Sequence, residues 1–318
     1  MSRRRRGRAV DGILVLDKPI GLSSNQALQK VKRMYFAAKA GHTGSLDPLA
    51  SGVLPLCFGE ATKFSQFLLD ADKAYESTFV LGMVTDTGDA EGQVLEDRDA
   101  SSITEVAVVV ALQAFEGEIE QIPSMFSAIK KDGQPLYTLA RKGLEVERKS
   151  RLVVVKQLQL RAFRDGEKPE VDIYLECSKG TYVRSLAEDL GRVLGYGAFV
   201  SALRRTRAGP FSIEDSLALS TLEALQDNTE FHGLDNFLLP ADVALGALPL
   251  VRLSESGGFY MRQGQPVLVP NAPRGGIVRI ALETGEFLGV FRRWRDIGRR
   301  ARGAASPDCH LKVTRTCL

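Results

Sequence analysis

The order of strand-like and helix-like segments is the feature of this sequence that most restricts its fold. Runs rich in Val, Ile, Leu, Phe and Tyr at 12–16, 74–84, 151–164 and 170–177 are typical of strands. Helical patterns separate some of these runs but not others, so strands and helices do not alternate regularly. Because a doubly wound parallel fold needs that alternation, the order predicts an α+β fold with a mixed or antiparallel sheet.

Helical segments and one Gly- and Pro-rich loop are predicted between these strands in the sequence. Ser23 or Ser24 can N-cap the first helix, and residues 41–59 hold four Gly and two Pro, which predicts a loop with short extended pieces. The helices are expected at about 24–37, 61–71, 103–115 and 182–194.

The pattern of apolar segments and turns changes at about Leu248. From there, apolar segments of a few residues alternate with Gly and Pro turns, which favours a small β-barrel or sandwich of about 70 residues. A chain of 318 residues, 44 % of them hydrophobic, can bury a core of this size and divide in two. We therefore expect one domain over 1–247 and a second over 248–318.

Positive charge is concentrated in three segments, although the net charge of the chain is only +3. Residues 1–11 carry +4, residues 123–164 carry +7 and residues 290–318 carry +6, which leaves −14 on the remainder. Basic segments on an acidic body suit a polyanion-binding surface, since phosphate contacts supply most non-specific affinity for nucleic acid. The alternative is that two termini and a loop are basic only because they are solvated.

Several classes of protein are disfavoured by what the sequence lacks. No apolar run approaches the roughly 20 residues that span a bilayer, and the short run at 12–16 cannot serve as the apolar core of a signal peptide. The cysteines are scattered without a CxxC pattern, which favours reduced thiols in a cytoplasmic protein. The histidines stand apart from one another and from the cysteines, which argues against a zinc site. The cysteines are Cys57, Cys177, Cys309 and Cys317, and the histidines are His42, His232 and His310.

The segment Gly41-His-Thr-Gly-Ser-Leu-Asp-Pro-Leu-Ala-Ser-Gly52 is the sharpest chemical signal. Taken alone, an acid beside Pro in a Gly-rich stretch is explained as an ordinary turn residue. The spacing of the glycines does not match a phosphate-binding GxxxxGK[ST] loop.

This segment resembles the catalytic loop of the TruB family of tRNA pseudouridine-55 synthases. Further segments extend the resemblance, in family order and spacing, over nearly the whole chain. They are Leu16-Asp-Lys-Pro19, Ser24-Asn25, Gly59-Glu-Ala-Thr-Lys63, Asp72-Lys-Ala-Tyr75, Thr85-Asp-Thr87, Gln121-Ile-Pro-Ser-Met125, Ser178-Lys-Gly-Thr-Tyr-Val-Arg-Ser-Leu186, Leu203-Arg-Arg205 and Leu238-Leu-Pro-Ala-Asp242.

The resemblance implies a pseudouridine synthase catalytic domain followed by a PUA-like RNA-binding β-barrel. It implies an isomerase that flips one uridine out of the T-loop of transfer RNA, at position 55, and converts it to pseudouridine without a cofactor or metal. The basic stretch at about 122–150 corresponds to an RNA-clamping insert that resembles the one in stand-alone bacterial enzymes and that guide-RNA-dependent relatives lack. We therefore expect the T-arm as partner, no guide RNA and no membrane, and a monomer.

The resemblance also implies the reacting pair. Asp47 matches the family nucleophile, and whether it attacks C1′ or C6, or acts only as a base, stays open. Arg184 matches the arginine that pairs with it, which would keep the carboxylate ionised in a dry pocket. Without the resemblance, Arg184 would be explained as a surface residue at a helix start.

Four more residues are implied as substrate contacts. Tyr75 and Tyr182 match pocket tyrosines, which can stack on a flipped base or move a proton. His42 matches an RNA-contact histidine, and Leu203 matches an apolar wall of the uracil pocket. On the sequence alone, these residues would be half-buried aromatics, a structural histidine and a core leucine.

Two other functions fit parts of the sequence. A non-catalytic RNA binder or folding helper would explain the basic segments and the PUA-like end, and would not need Asp47. A metabolic α+β enzyme with a β-barrel appendage would need a small-molecule site, for which the sequence shows no motif.

Overall fold

The structure is a computed structural model that describes residues 7–127, 129–131, 133–228, 231–269, 272–273, 276–293 and 309–316. Most of the Arg run at the N-terminus and most of the Arg-rich segment after 290 lie outside the described residues. The chain divides into two compact units, Met1–Leu238 and Leu239–Leu318. The expected boundary at 247/248 stays a prediction.

The first unit contains most of the secondary structure. Its strands are β1 Gly12–Lys18, β2 Ala40–His42, β3 Ser51–Phe58, β4 Lys73–Leu81, β5 Met83–Thr85, β6 Val94–Asp97, β7 Gly117–Gln121, β8 Lys130–Lys131, β9 Gln134–Pro135, β10 Arg151–Arg164, β11 Glu170–Cys177, β12 Ala198–Ala208, β13 Phe211–Ser212 and β14 Leu217–Ala218. Its α-helices are α1 Ser24–Met34, α2 Ser65–Asp70, α3 Glu105–Gln113, α4 Leu136–Ala140, α5 Val183–Leu194, α6 Leu219–Asn228 and α7 Phe231–Asp235, with 3-10 turns at Gly59–Phe64 and Ile213–Asp215.

A mixed sheet organises the first unit. Its strands run in the order β14-β1-β3-β12-β4-β11-β10-β7, with β13 paired to β12 and β2 paired to β3. The pairs β1/β14 and β3/β12 are parallel, and the other pairs are antiparallel. This arrangement confirms the predicted α+β class with a mixed sheet.

The predicted loop at 41–59 is partly wrong, because Ser51–Phe58 forms one continuous strand, β3. The side chains of Val53, Leu54, Leu56 and Phe58 are all fully buried. A strand enclosed on both faces is apolar at successive positions and lacks the alternation by which a half-exposed strand is recognised. The glycines and prolines around it therefore dominated the prediction.

Helices pack against the sheet and enclose the core. α5 packs against β12 and α3, and α3 also packs against β10. Leu186 and Leu190 of α5 are fully buried in a cluster that also contains Phe79 and Leu175 of the sheet. Burial of these apolar side chains fixes α5 on the sheet, and so fixes the first turn of α5 near the β2–β3 loop.

The second unit is a smaller, strand-rich body. It contains a 3-10 turn at Ala241–Leu245, then β15 Leu250–Leu253, α8 Glu255–Arg262, β16 Val267–Val269, β17 Ile277–Leu282, β18 Phe287–Arg293 and β19 Cys309–Thr316. Its sheet has the order β15-β17-β18-β19-β16. The strand-rich character agrees with the sequence, but among the described residues no pairing joins β15 to β16, so a closed PUA-like barrel is not confirmed.

We expect Gly52→Ala to destabilise the first unit more than Gly195→Ala. Both glycines have positive φ, 103° and 85°, which costs an L residue about 1–2 kcal/mol. A Cβ on Gly52 would also lie 2.2 Å from the carbonyl oxygen of Arg205, whereas one on Gly195 meets no atom within 4 Å. Urea unfolding should show an additional loss of about 1–3 kcal/mol for Gly52→Ala, and equal losses would contradict this view of the β3–β12 contact.

Candidate active site

The loop that joins β2 to β3 presents Asp47, and contacts on both sides of it fix its backbone. The hydroxyl of Ser24, at the start of α1, accepts from the Leu46 amide at 2.7 Å and donates to the Leu46 carbonyl at 3.0 Å. The amide of Gly21 donates to the carbonyl of Pro48 at 2.8 Å. Because the residues before and after Asp47 are both held, its side chain has a fixed origin.

Ser23 leaves Ser24 free for this contact. Ser23 is the N-cap of α1 and forms a capping box with Gln26. Of the two serines that the sequence predicted as possible caps, Ser23 caps the N-terminus of the helix and Ser24 holds the loop.

Arg184 lies opposite Asp47, as the resemblance implied. Its Nη2 is 2.9 Å from Oδ2 of Asp47. The arginine side chain is only 6 % exposed, whereas that of Asp47 is 42 % exposed. The pair therefore has a buried cation beneath a carboxylate that incoming molecules can reach.

Further contacts fix the guanidinium. Arg184 donates to the carbonyl of Thr87 at 2.9 Å and to the carbonyl of Phe126 at 3.1 Å. Its Nη1 is 3.6 Å from a carboxylate oxygen of Asp89, a residue that is 4 % exposed. Asp89 carried no role in the sequence interpretation, although it lies next to the quoted Thr85-Asp-Thr87 motif.

Burial and neighbouring charges have opposing effects on the pKa of Asp47. Burial raises the pKa of its carboxyl group, Arg184 lowers it, Asp89 raises it and Lys18 lowers it. Lys18 is fully buried and donates to the carbonyls of Pro19 and Leu22, and burial lowers its own pKa to about 8. The cations thus oppose the burial that would otherwise favour a neutral Asp47.

Tyr75 and Leu203 share one face of the sheet. Tyr75 is opposite Arg205 in the β4–β12 register, and Leu203 is opposite Ser77, two residues further along β4. Tyr75 is 9 % exposed, and burial raises the pKa of its phenol. Leu203 is half-buried and packs against the core, which fits either a pocket wall or an ordinary core residue.

Tyr182 and His42 flank the same region. The backbone of Tyr182 exchanges two hydrogen bonds with the side chain of Gln121, and the guanidinium of Arg151 lies 5.9 Å from the centre of its ring. His42 ends β2, and burial and Arg205 lower its pKa. Its Nδ1 is buried and has no hydrogen-bond partner among the described residues. A direct contact with Asp47 is recorded for Arg184, and not for these two residues.

Within the described part of the chain, no three His, Cys, Asp or Glu side chains are grouped as they would be around a metal ion. The helices described there are also too short or too polar to cross a bilayer. The predicted independence from cofactors stays a prediction.

Three family models match consecutive parts of this chain. Residues 32–183 match "TruB family pseudouridylate synthase (N terminal domain)". Residues 184–246 match "tRNA pseudouridylate synthase B C-terminal domain", and residues 249–293 match "Pseudouridine synthase II TruB, C-terminal".

Curated relatives match over most of their length. The chain is 55 % identical to "tRNA pseudouridine synthase B" of Pseudomonas aeruginosa over 283 residues, which cover 89 % of this chain and 92 % of the relative. It is 52 % identical to the protein of the same name from Saccharophagus degradans over 293 residues, or 91 % and 94 % of the two chains. It is 50 % identical to that of Coxiella burnetii over 283 residues, or 89 % and 91 %.

Solved structures share the fold. A chain of a Cbf5-Nop10-Gar1 complex superposes with a TM-score of 0.69 at 26 % identity, covering 96 % of this chain and 84 % of the other. A chain of an H/ACA RNP bound to a substrate RNA containing 2′-deoxyuridine gives 0.70 at 23 % identity, covering 100 % and 92 %.

The fold and the family matches define the class of this protein, which is a pseudouridine synthase. Within that class, the chain belongs to the TruB family.

We expect Arg184→Met to move the acidic limb of the pH–rate profile to higher pH. Arg184 lowers the pKa of Asp47, so its removal raises that pKa further and leaves less ionised carboxylate at a given pH. Because the ionised form is the one expected to react, the limb should shift measurably to higher pH in single-turnover assays.

Arg192→Met is the matched control for this variant. Arg192 is on the same helix, its side chain is 75 % exposed, and it pairs with Asp189. Its removal should leave the limb in place. An unshifted limb in Arg184→Met would show that Arg184 does not set the ionisation of Asp47.

Proposed function

We propose that this protein isomerises uridine to pseudouridine at position 55, in the T-loop of transfer RNA, with Asp47 as the nucleophile. The single observation that carries the assignment of Asp47 is its 2.9 Å ion pair with Arg184, in a loop held on both sides. The relatives named tRNA pseudouridine synthase B, at 50–55 % identity, support the reaction and the substrate.

The reaction must exchange one glycosidic bond for another. The base leaves C1′ of the ribose through N1, rotates, and returns through C5, which then loses its hydrogen as a proton while N1 gains a proton. An ionised Asp47 can hold the ribose at C1′ or the base at C6, or act as a base during that exchange, and the geometry is compatible with each. Arg184 keeps the carboxylate ionised and oriented, and the phenol of Tyr75 can accept or deliver a proton at the base.

The target uridine has to leave its stack to reach Asp47, which costs a few kcal/mol. Favourable contacts with the rest of the RNA can offset this cost. Tyr182 under Arg151, and His42 with its buried Nδ1, supply stacking and polar contacts for the flipped nucleotide. Leu203 supplies the apolar wall.

The basic insert at about 122–150 supplies the phosphate contacts. Lys130 and Lys131 lie exposed on β8. The base of the insert is joined to the site, because Arg184 donates to the carbonyl of Phe126. The five-stranded second unit is the PUA-like RNA-binding module of this proposal.

The same proposal covers the assembly in which the protein acts. It works on transfer RNA without a guide RNA, as a monomer in the cytoplasm. The identity to the named synthases, 50–55 %, is higher than that to the matched chains of the Cbf5-Nop10-Gar1 and H/ACA RNP complexes, 23–26 %, which supports the stand-alone mode.

Asp47→Asn should abolish pseudouridine formation and preserve RNA binding. Removal of the nucleophile should lower the rate by at least about 10³-fold, since the amide of Asn is a far weaker nucleophile and base than an ionised carboxylate. The measurement is tritium release from a T-arm hairpin that carries 5-³H-uridine, together with the Kd for the same RNA. Asp99→Asn, which alters an exposed loop carboxylate, is the control and should retain the wild-type rate.

Two results would contradict the proposal in different ways. Undiminished release by Asp47→Asn would remove Asp47 from the chemistry. No release by the wild-type protein, with tight and salt-sensitive binding, would favour the RNA-folding helper that the basic segments also fit.

Replacing Lys130 and Lys131 by Gln together should weaken the salt dependence of RNA binding. Each phosphate contact contributes about 0.7–0.9 to the slope of log K against log salt, so the loss of two contacts should lower the slope by up to about 1.8. KM should rise while the single-turnover rate at saturating RNA stays near wild type. Lys168→Gln, whose ammonium group is bound by Asp97, is the control, and an equal slope in both variants would exclude the insert as a phosphate contact.

A further inference from the structure

One buried cation beside the site has no role in the proposed mechanism. Arg205, on β12, is 1 % exposed and is among the largest fully buried side chains of the described residues. Its Nε donates to the carbonyl of Val53 at 2.7 Å, and its Nη2 donates to the carbonyl of Gly44 at 3.0 Å. These two carbonyls stand on either side of Asp47, three residues before it and six after it.

The backbone around Arg205 is shaped to admit it. Gly44 has φ of 78°, and a Cβ there would lie 3.3 Å from Nη1 of Arg205. Gly52 is paired with Arg205 in the parallel β3–β12 register, and any Cβ there would strike the Arg205 backbone. Two of the glycines that mark the catalytic motif therefore accommodate this one residue.

The same guanidinium also reaches Tyr75. The two residues stand opposite each other in the β4–β12 register, so their side chains are neighbours on one face of the sheet. Arg205 opposes the rise in the pKa of the Tyr75 phenol that burial causes. One planar group thus binds the start and the end of the Asp47 loop and lies beside Tyr75 on the neighbouring strand.

A purely structural explanation accounts poorly for this choice of residue. Burying a guanidinium is costly, and the hydrogen-bond partners of Arg205 among the described residues are backbone carbonyls, which do not neutralise its charge. Burial accordingly lowers its pKa. A well-packed apolar residue would often serve stability as well or better. What an apolar residue cannot supply is a rigid fork that binds both ends of the Asp47 loop at once, beside Tyr75.

We propose that Arg205 is a positioning residue for catalysis, which holds the Asp47 loop and the hydroxyl of Tyr75 in one fixed mutual geometry. This inference rests on the proposed reaction, in which both groups act on the flipped uridine. A displacement of about 1 Å between reacting groups can cost on the order of 10²-fold in rate, so the loss of the fork should be visible in catalysis.

The test compares Arg205→Lys and Arg205→Met with Arg207→Met, a control on the same strand whose side chain is 36 % exposed and paired with Glu176. Single-turnover rates at saturating T-arm RNA are divided by the folded fraction of each variant. Arg205→Lys, which keeps the charge but not the fork, should lose roughly 10-fold, and Arg205→Met on the order of 10²-fold. KM should stay within about three-fold of wild type, since the proposed phosphate contacts lie elsewhere.

A double-mutant cycle separates positioning from a general loss of structure. In a Tyr75→Phe background the hydroxyl is absent, so Arg205→Lys should cost clearly less than it does in wild type. Additive losses, or a normal rate per folded molecule in Arg205→Lys, would overturn the inference. Where Arg205→Met does not fold, Arg205→Lys and the cycle decide the question. Absence of pseudouridine formation by the wild-type protein would instead refute the proposed function.

Discussion

An accessible carboxylate on a largely buried framework is the constraint on which the rest of this site depends. Burial favours the neutral form of Asp47, and a neutral carboxyl group is a poor nucleophile. Arg184 opposes that effect at 2.9 Å, but its own side chain is nearly inaccessible to solvent, so it needs partners of its own. Two backbone carbonyls and the buried Asp89 provide them. The ionised state of one side chain therefore involves three separate segments of the chain.

The sheet order explains how such distant segments meet. β12 lies between β3 and β4, so it borders the strand that follows the Asp47 loop and the strand that carries Tyr75. The parallel β3–β12 pair brings Gly52 beside Arg205, although 152 residues separate them in sequence. α5 packs across β12 and presents Arg184 to the loop from the helical side. A fold without strict strand–helix alternation permits this insertion of a late strand between two early ones.

The sequence predicted those strands that have a clear local pattern of apolar and polar residues. The strands at 151–164 and 170–177 have the predicted bounds, because each alternates apolar and polar residues with one face exposed. The fully enclosed β3 lacked that signal. The Asp47–Arg184 pair was expected only because the motifs resembled a family. The contacts of Arg205 and Asp89 could not be predicted, since they depend on the register between strands and loops far apart in sequence.

Most of the buried charges that take part in these contacts are positive. Among the described residues, four cations are buried, Lys18, Lys73, Arg184 and Arg205, against one buried carboxylate, Asp89. Lys18 and Lys73 donate to backbone carbonyls, as Arg205 does, and the pKa of each lysine is lowered to about 8, chiefly by burial and in part by Arg205. Carbonyl dipoles satisfy the donors without cancelling their charge, and little water is present to screen it. A surplus of buried positive charge therefore remains in this part of the first unit, and Arg184 and Lys18 within it lower the pKa of Asp47. The small net charge of the whole chain conceals this surplus, because the compensating carboxylates lie mostly at the surface.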